Sequence, residues 1–270
     1  MITQASTGST HSNVKEIAVL PKFTTEALQA LVHKEIMAIR VPDFYDPDCG
    51  QNLGDCILEY TGKRILHESG QSMIPRVSSR DPMFQGEKRP MCIKQDTDFL
   101  VRQATGKHYP VSEILQALNE AWPKRAIVST EHPQYVGKGV LHGPETNTYP
   151  HCDYVQRGDT GNFAANIYLI LPPEGGELQM MRNEIFHQWQ QQNVIISTGS
   201  GTKVSQLQDH PDWQALSPGS SCLIRPEAME LVLADVTQPH AVRPSKDGCR
   251  VNFNVFIKQK RQDSPFIIYQ

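Results

Sequence analysis

The sequence has no run of about 18 apolar residues, the length a membrane-crossing helix needs. It has no CxxC pair either. Its six cysteines, Cys49, Cys56, Cys92, Cys152, Cys222 and Cys249, are scattered along the chain. That spacing excludes a disulfide framework or a zinc cluster and points to reduced thiols in a cytoplasmic protein. A basic excess is missing: the formal net charge of −3 lacks the electrostatic footprint of a nucleic-acid binder. The opening residues MITQASTGSTHSN carry no apolar core of a secretory signal, so residues 1–14 are expected to be a mobile tail. No internal repeat, low-complexity tract or linker divides residues 15–270, which are expected to form one domain.

What is present is enough apolar sequence to fold. Hydrophobic residues make up 39% of the chain and charged residues 20%. The first part has helical periodicity. In TTEALQALVHKEIMAIR, Leu28, Leu31, Val32 and Ile36 recur at helical spacing behind Thr24 or Thr25 as N-cap. A short strand follows and ends at Pro42. DPDCGQNLGDCILEYT predicts a second helix capped by Asp46 or Asp48. Residues 70–92, rich in Ser, Arg, Pro and Gly, read as a long loop. DTDFLVRQATG and VSEILQALNEAW predict two more helices, the second stopping before Pro123. From about residue 125 short alternating segments separated by turn residues predict strands. The expectation is α+β: a helical part over about 15–125, then a β-sandwich or barrel over about 126–260.

Three separated residues carry the chemistry. His151 and Asp153 stand two apart in PHCDY, so on a strand their side chains share a face. His240 closes the extended stretch LVLADVTQPH. Two imidazoles and one carboxylate are the facial triad that holds Fe(II) and leaves coordination positions open. Arg250 follows in CRVNFNVFIK, whose alternation puts Arg250, Asn252, Asn254 and Phe256 on one face. Val251, Phe253, Val255 and Ile257 fall on the other. An arginine there suits an anionic co-substrate, because its planar fork grips a carboxylate through two hydrogen bonds.

With those residues in view, the chain resembles the Fe(II)/2-oxoglutarate-dependent oxygenases. NIYLILPPEGGELQM is similar to the family's segment after HxD, including its turn, here Gly175-Gly176-Glu177-Leu178. LSPGSSCLI resembles its later strand entry, here Pro218-Gly219, and QPHAVRPSKDGCRVNF its distal histidine and arginine segment. Asn252 stands where several members have serine. The resemblance implies a double-stranded β-helix (jelly-roll) core with an N-terminal helical shell. It implies Fe(II), 2-oxoglutarate and O2 at His151, Asp153 and His240. Arg250, Tyr168 and Asn252 are then the co-substrate contacts. The implied activity is hydroxylation of an unactivated C–H bond of a small metabolite, such as an amino acid or natural-product intermediate, with release of succinate and CO2. Desaturation, cyclisation and epimerisation use the same triad.

A weaker similarity is to halogenases of free metabolites. There a small residue replaces the carboxylate and the opened site takes chloride; Asp153 disfavours that outcome. A protein or nucleic-acid hydroxylase or demethylase and a noncatalytic cupin-like binding module are the alternatives. Upstream, His142, Glu145 and Asn147 are candidate substrate contacts, as are Arg76 and Arg80 if their loop covers the site. A small-molecule substrate is the expected partner, with neither nucleic acid nor membrane. Oligomeric state is not legible in the sequence.

Overall fold

Alternation in the last long strand organises the molecule. A computed structural model of the chain describes residues 16–69, 91–93, 101–102, 104–129, 137–143, 148–153, 159–182 and 221–269. In it, β14 (Arg250–Gln259) is a ten-residue strand. Its Val251, Phe253, Val255 and Ile257 are all buried in the larger hydrophobic cluster. The alternate residues therefore point the opposite way. β14 pairs antiparallel with β5 (Lys138–His142) and β7 (Gly161–Ile170), and β7 pairs in turn with β11 (Leu231–Asp235). A second sheet runs β10 (Ser221–Ile224), β9 (Leu178–Met181), β12 (His240–Val242), β6 (Thr148–His151).

Along the chain these eight strands switch between the sheets. β5, β7, β11 and β14 lie in one, and β6, β9, β10 and β12 in the other. That order, antiparallel throughout, is the double-stranded β-helix, or jelly roll. A smaller cluster joins the two sheets. Tyr168, Val232 and Ala234 of one meet Leu178, Met180 and Val242 of the other.

The N-terminal part covers the outer face of the larger sheet. α1 (Thr25–Val32) starts where the Thr24 side chain accepts a hydrogen bond from the Ala27 N–H, and it buries Leu28, Leu31 and Val32. α2 (Pro47–Ser69) begins after Asp46, whose carboxylate accepts from the Cys49 N–H. α3 (Pro110–Ala121) has Pro110 at its first turn and buries Val111, Ile114 and Leu118. The same apolar cluster takes residues from all three helices and from the sheet face.

This part is not only helical, however. β1 (Ile17–Val19) and β2 (Ala38–Val41) extend the sheet beyond β11, and β3 (Met91–Ile93) pairs with β5. β4 (Ala126–Val128) pairs with β15 (Phe266–Tyr269), past the expected limit at residue 260. The larger sheet thus has nine strands. Two expectations are corrected here: β3 falls partly within the predicted 70–92 loop, and the division at 125 does not divide the sheet. Edge strands found far away in sequence explain both. They cover backbone groups that would otherwise stay unpaired.

Among the described residues, no helix is long and apolar enough to cross a membrane. Phe253 is fully buried beneath the helices. Replacing it by Ala should cost about 3–5 kcal/mol, because the cavity is walled by sheet and helix and collapses little. The urea midpoint, measured against wild type, checks this.

Candidate metal and co-substrate site

Strand pairing brings the two histidines together. His151 ends β6 and His240 begins β12, directly opposite in the antiparallel register. Their rings lie with centroids 4.3 Å apart, tilted 47° to one another. His240 also pairs with Met180, which belongs to the cluster between the sheets, so this face is the interior one. Asp153 lies just past the end of β6. Its N–H donates to the Val236 carbonyl oxygen at 2.8 Å, which holds the backbone. The carboxylate turns back to 3.6 Å from His151 Nε2 and 3.9 Å from His240 Nε2.

The donor set fits a divalent ion. Bonds of about 2.0–2.2 Å to imidazole and carboxylate require donors within roughly 4.2 Å of one another. The carboxylate distances, one from each oxygen, meet this, and the three ligand atoms span no more than 4.8 Å, so a small turn of one side chain closes the set on an ion. His240 Nδ1 is 3.0 Å from the Gln238 carbonyl oxygen, which leaves Nε2 for the metal side. Burial and the neighbouring His151 bring the His240 pKa down to about 4, so the ring is a neutral ligand at neutral pH. The turn that carries it is tied locally: Asp235 accepts from the backbone N–H and hydroxyl of Thr237. Two imidazoles and a carboxylate on one side of the ion suit Fe(II) and leave its other side open.

Arg250 lies buried on the inner face of β14. Its Nη1 donates to the Gly176 carbonyl oxygen at 2.8 Å. That carbonyl is placed by a turn whose two glycines, Gly175 and Gly176, have φ of 86° and 74°. A Cβ on Gly175 would stand 2.3 Å from the Pro244 oxygen, so no side chain fits there. Arg250 also sits over the Tyr168 ring, 5.5 Å from its centroid. No carboxylate among the described residues pairs with this guanidinium, and its Nε has no hydrogen-bond partner. A cation desolvated in this way calls for an anionic ligand.

His142 lies beside Arg250, which it faces across the β5–β14 register. Arg250 Nη2 is 3.1 Å from its Nδ1 and 3.4 Å from its Nε2. Either ring nitrogen accepts when unprotonated, so the pair holds in both tautomers. Burial, then the Arg250 charge, hold its pKa well below the ordinary value. The other predicted contacts differ in standing. Tyr168 and Asn252 are buried on the inner face. The Asn252 amide N–H donates to Asn166 Oδ1 at 2.8 Å, and its own Oδ1 has no partner. Glu145, Asn147, Arg76 and Arg80 lie outside the described residues.

Sequence reasoning picked out the Gly175-Gly176 turn but not its contact with Arg250, and it missed Gln238, Asn166 and the pairing of His142 with Arg250. Of the residues missed only Gln238 had a signal, the turn-forming DVTQ before His240. A cleft of ≈ 590 Å³ adjoins the turn that holds Arg250, lined by Pro172, Gly175, Gly176, Glu177, Arg225 and Arg243 among others. Neither Arg250 nor the triad lines it.

Comparison with family models finds no match, and comparison with curated protein sequences finds none. Solved structures do overlap with the chain. AviO1 from Streptomyces viridochromogenes Tue57 is 15% identical with a TM-score of 0.49, covering 83% of this chain and 89% of that one. HygX from Streptomyces hygroscopicus, solved with nickel and 2-oxoglutarate bound, is 12% identical at 0.47, covering 88% and 87%. An N-substituted L-amino acid dioxygenase from Burkholderia ambifaria AMMD is 14% identical at 0.44, covering 91% of each chain. At these identities and TM-scores the likenesses carry no argument about what this chain does, and the site is read from its own donors and distances.

The His142 shift has a direction that can be measured. In the unfolded chain this histidine takes up a proton below about pH 6.5; in the folded protein it stays neutral until well below that. The unfolded state then binds more protons, so stability falls as pH drops below about 6.5. His240 adds to the loss in the same sense. His142→Gln, which keeps an acceptor without a titrating ring, should therefore lose less stability than wild type between about pH 6.5 and 5. Equal slopes in denaturant titrations across that range would contradict the burial of a neutral His142.

Proposed function

We propose that this chain is an Fe(II)- and 2-oxoglutarate-dependent oxygenase that hydroxylates an unactivated C–H bond of a small metabolite. The observation that carries the reading is a pair of features inside one cup. A two-histidine, one-carboxylate set lies on the inner face of the smaller sheet, and a buried guanidinium without a carboxylate lies on that of the larger. Bound there, Fe(II) with 2-oxoglutarate and O2 supplies the oxidising power, and the co-substrate leaves as succinate and CO2.

The chain's residues hold and orient. His151, Asp153 and His240 hold the metal on one side. Arg250 takes the distal carboxylate of the co-substrate, an ion pair strengthened by its desolvated setting. Tyr168 packs beneath the guanidinium and walls the pocket, while the Gly176 carbonyl oxygen and His142 fix the direction of the fork. The apolar contact between the sheets keeps water from that end. Because Asp153 supplies the third protein ligand, hydroxylation is favoured over halogenation.

Metal binding is the first test. Wild-type protein should bind one Fe(II) per chain and turn over 2-oxoglutarate to succinate when substrate is present. His151→Ala and His240→Ala should each lose turnover and most metal affinity. Full metal affinity in both variants would remove the assignment. Product formed under labelled dioxygen should carry one labelled oxygen and no halogen when chloride is present.

Arg250 gives a separate test. Arg250→Ala removes a charge-assisted contact worth on the order of 2–4 kcal/mol, so 2-oxoglutarate affinity should fall roughly 30- to 1000-fold. Arg250→Lys should recover only part of the loss, since a point charge does not reproduce the fork. Isothermal titration with 2-oxoglutarate reads both. An unchanged midpoint in Arg250→Ala would assign the distal carboxylate to another residue.

A further inference from the structure

Four buried side-chain polar atoms among the described residues lack a hydrogen-bond partner, and all four belong to β14. Gln259 Oε1 is at the strand's end, beside the turn that Gln259 ties to Gln262 and Ser264. The other three are Arg250 Nε, Asn252 Oδ1 and Asn254 Oδ1. They occupy alternate positions, so they form one stripe on the inner face of the strand. A buried polar group left without a partner destabilises the fold, and a run of them along one wall of a cup marks a surface that a ligand completes.

The stripe changes polarity along its length. Arg250 offers donors and a charge. The next two positions offer acceptors, because both amide N–H groups are already engaged. Asn252 Nδ2 donates to Asn166 Oδ1 at 2.8 Å and Asn254 Nδ2 donates to the same oxygen at 3.0 Å. Asn166 stands opposite Asn254 on β7 and so clamps both carboxamides with their oxygens free. Asn252 and Asn254 are 2% and 6% exposed, too buried for bulk water to satisfy those oxygens.

Two-oxoglutarate carries no N–H, and its carboxylates are repelled by a carbonyl oxygen. These acceptors therefore do not serve the co-substrate. One hydroxyl offers a single hydrogen, whereas an amino group offers two or three, enough for both oxygens held on one clamp. We propose that Asn252 and Asn254, clamped by Asn166, are the specificity-determining residues of this site and receive an amino group of the substrate. This rests on the oxygenase reading and narrows its substrate to the class of amines and amino acids. The same two hydrogen bonds survive if all three amides turn over together, which would present N–H groups and favour an anion; the experiment separates the two arrangements.

Protein loaded with Zn(II) and 2-oxoglutarate is titrated calorimetrically with three matched sets of probes. These are the common L-amino acids, the corresponding 2-hydroxy acids and the corresponding unsubstituted acids. Binding is expected within the amino set and about tenfold weaker or worse in the other two. Asn252→Leu and Asn254→Leu should each weaken the best amino probe by about tenfold or more, with Zn(II) and 2-oxoglutarate still bound as in wild type. Asn254→Asp, which keeps an oxygen acceptor and adds a charge, should hold a protonated amino probe at least as tightly as wild type and covers the case in which the Leu variants fold poorly. Hydroxy or unsubstituted acids binding as tightly as amino acids would overturn the proposal, as would amino-probe affinity unchanged in both Leu variants. So would no amino probe binding to protein that holds Zn(II) and 2-oxoglutarate. Protein that holds neither would overturn the oxygenase reading, and this proposal with it.

Discussion

A guanidinium buried without a counter-charge is the constraint on which the cup depends. Arg250 sits on the strand that joins three others in the larger sheet, so it cannot swing out to water without breaking that sheet. Its setting instead supplies neutral compensation: one carbonyl oxygen from a glycine turn, one imidazole and one aromatic face. These contacts orient the charge without neutralising it. The fold keeps an attraction for an anion at one end of the cup and the metal donors on the facing sheet.

The same strand separates packing from chemistry. One face of β14 places Val251, Phe253, Val255 and Ile257 against helices and closes the larger core. The other carries Arg250, Asn252 and Asn254, with three atoms left unpartnered. Stability comes mainly from the first face, which is free to be apolar because helices cover it. The second is polar, and each unpartnered atom there lowers stability while it waits for a ligand. Binding then restores what folding left unpaired, so ligands should stabilise the protein as well as react in it.

Much of this was legible before folding. The helices announced themselves by their 3.6-residue period and by Thr24 and Asp46 at their starts, because capping and burial act locally. The two faces of β14 followed from alternation. His151, Asp153, His240 and Arg250 stood out by residue type and order. Less was legible where one segment meets another. Strand β2 was legible as the short stretch ending at Pro42, but β1 and β3 were hidden because three residues show little periodicity, and what makes them strands is the partner across the sheet. His142 read only as a candidate substrate contact, since nothing in GVLHGPE tells which strand will lie beside it; the structure puts Arg250 there.

The sequence by itself determined which donors exist, their alternation and the helices that can cover a sheet, since these follow from side-chain chemistry and local geometry. Tertiary structure decided which donors meet. His240 faces His151 only because β12 and β6 pair in that register, and a shift of one residue would turn one ring away from the other. It also decided polarity. An asparagine offers a donor or an acceptor according to which end a neighbour engages, and Asn166, more than 80 positions from Asn252 and Asn254, engages the amide ends of both.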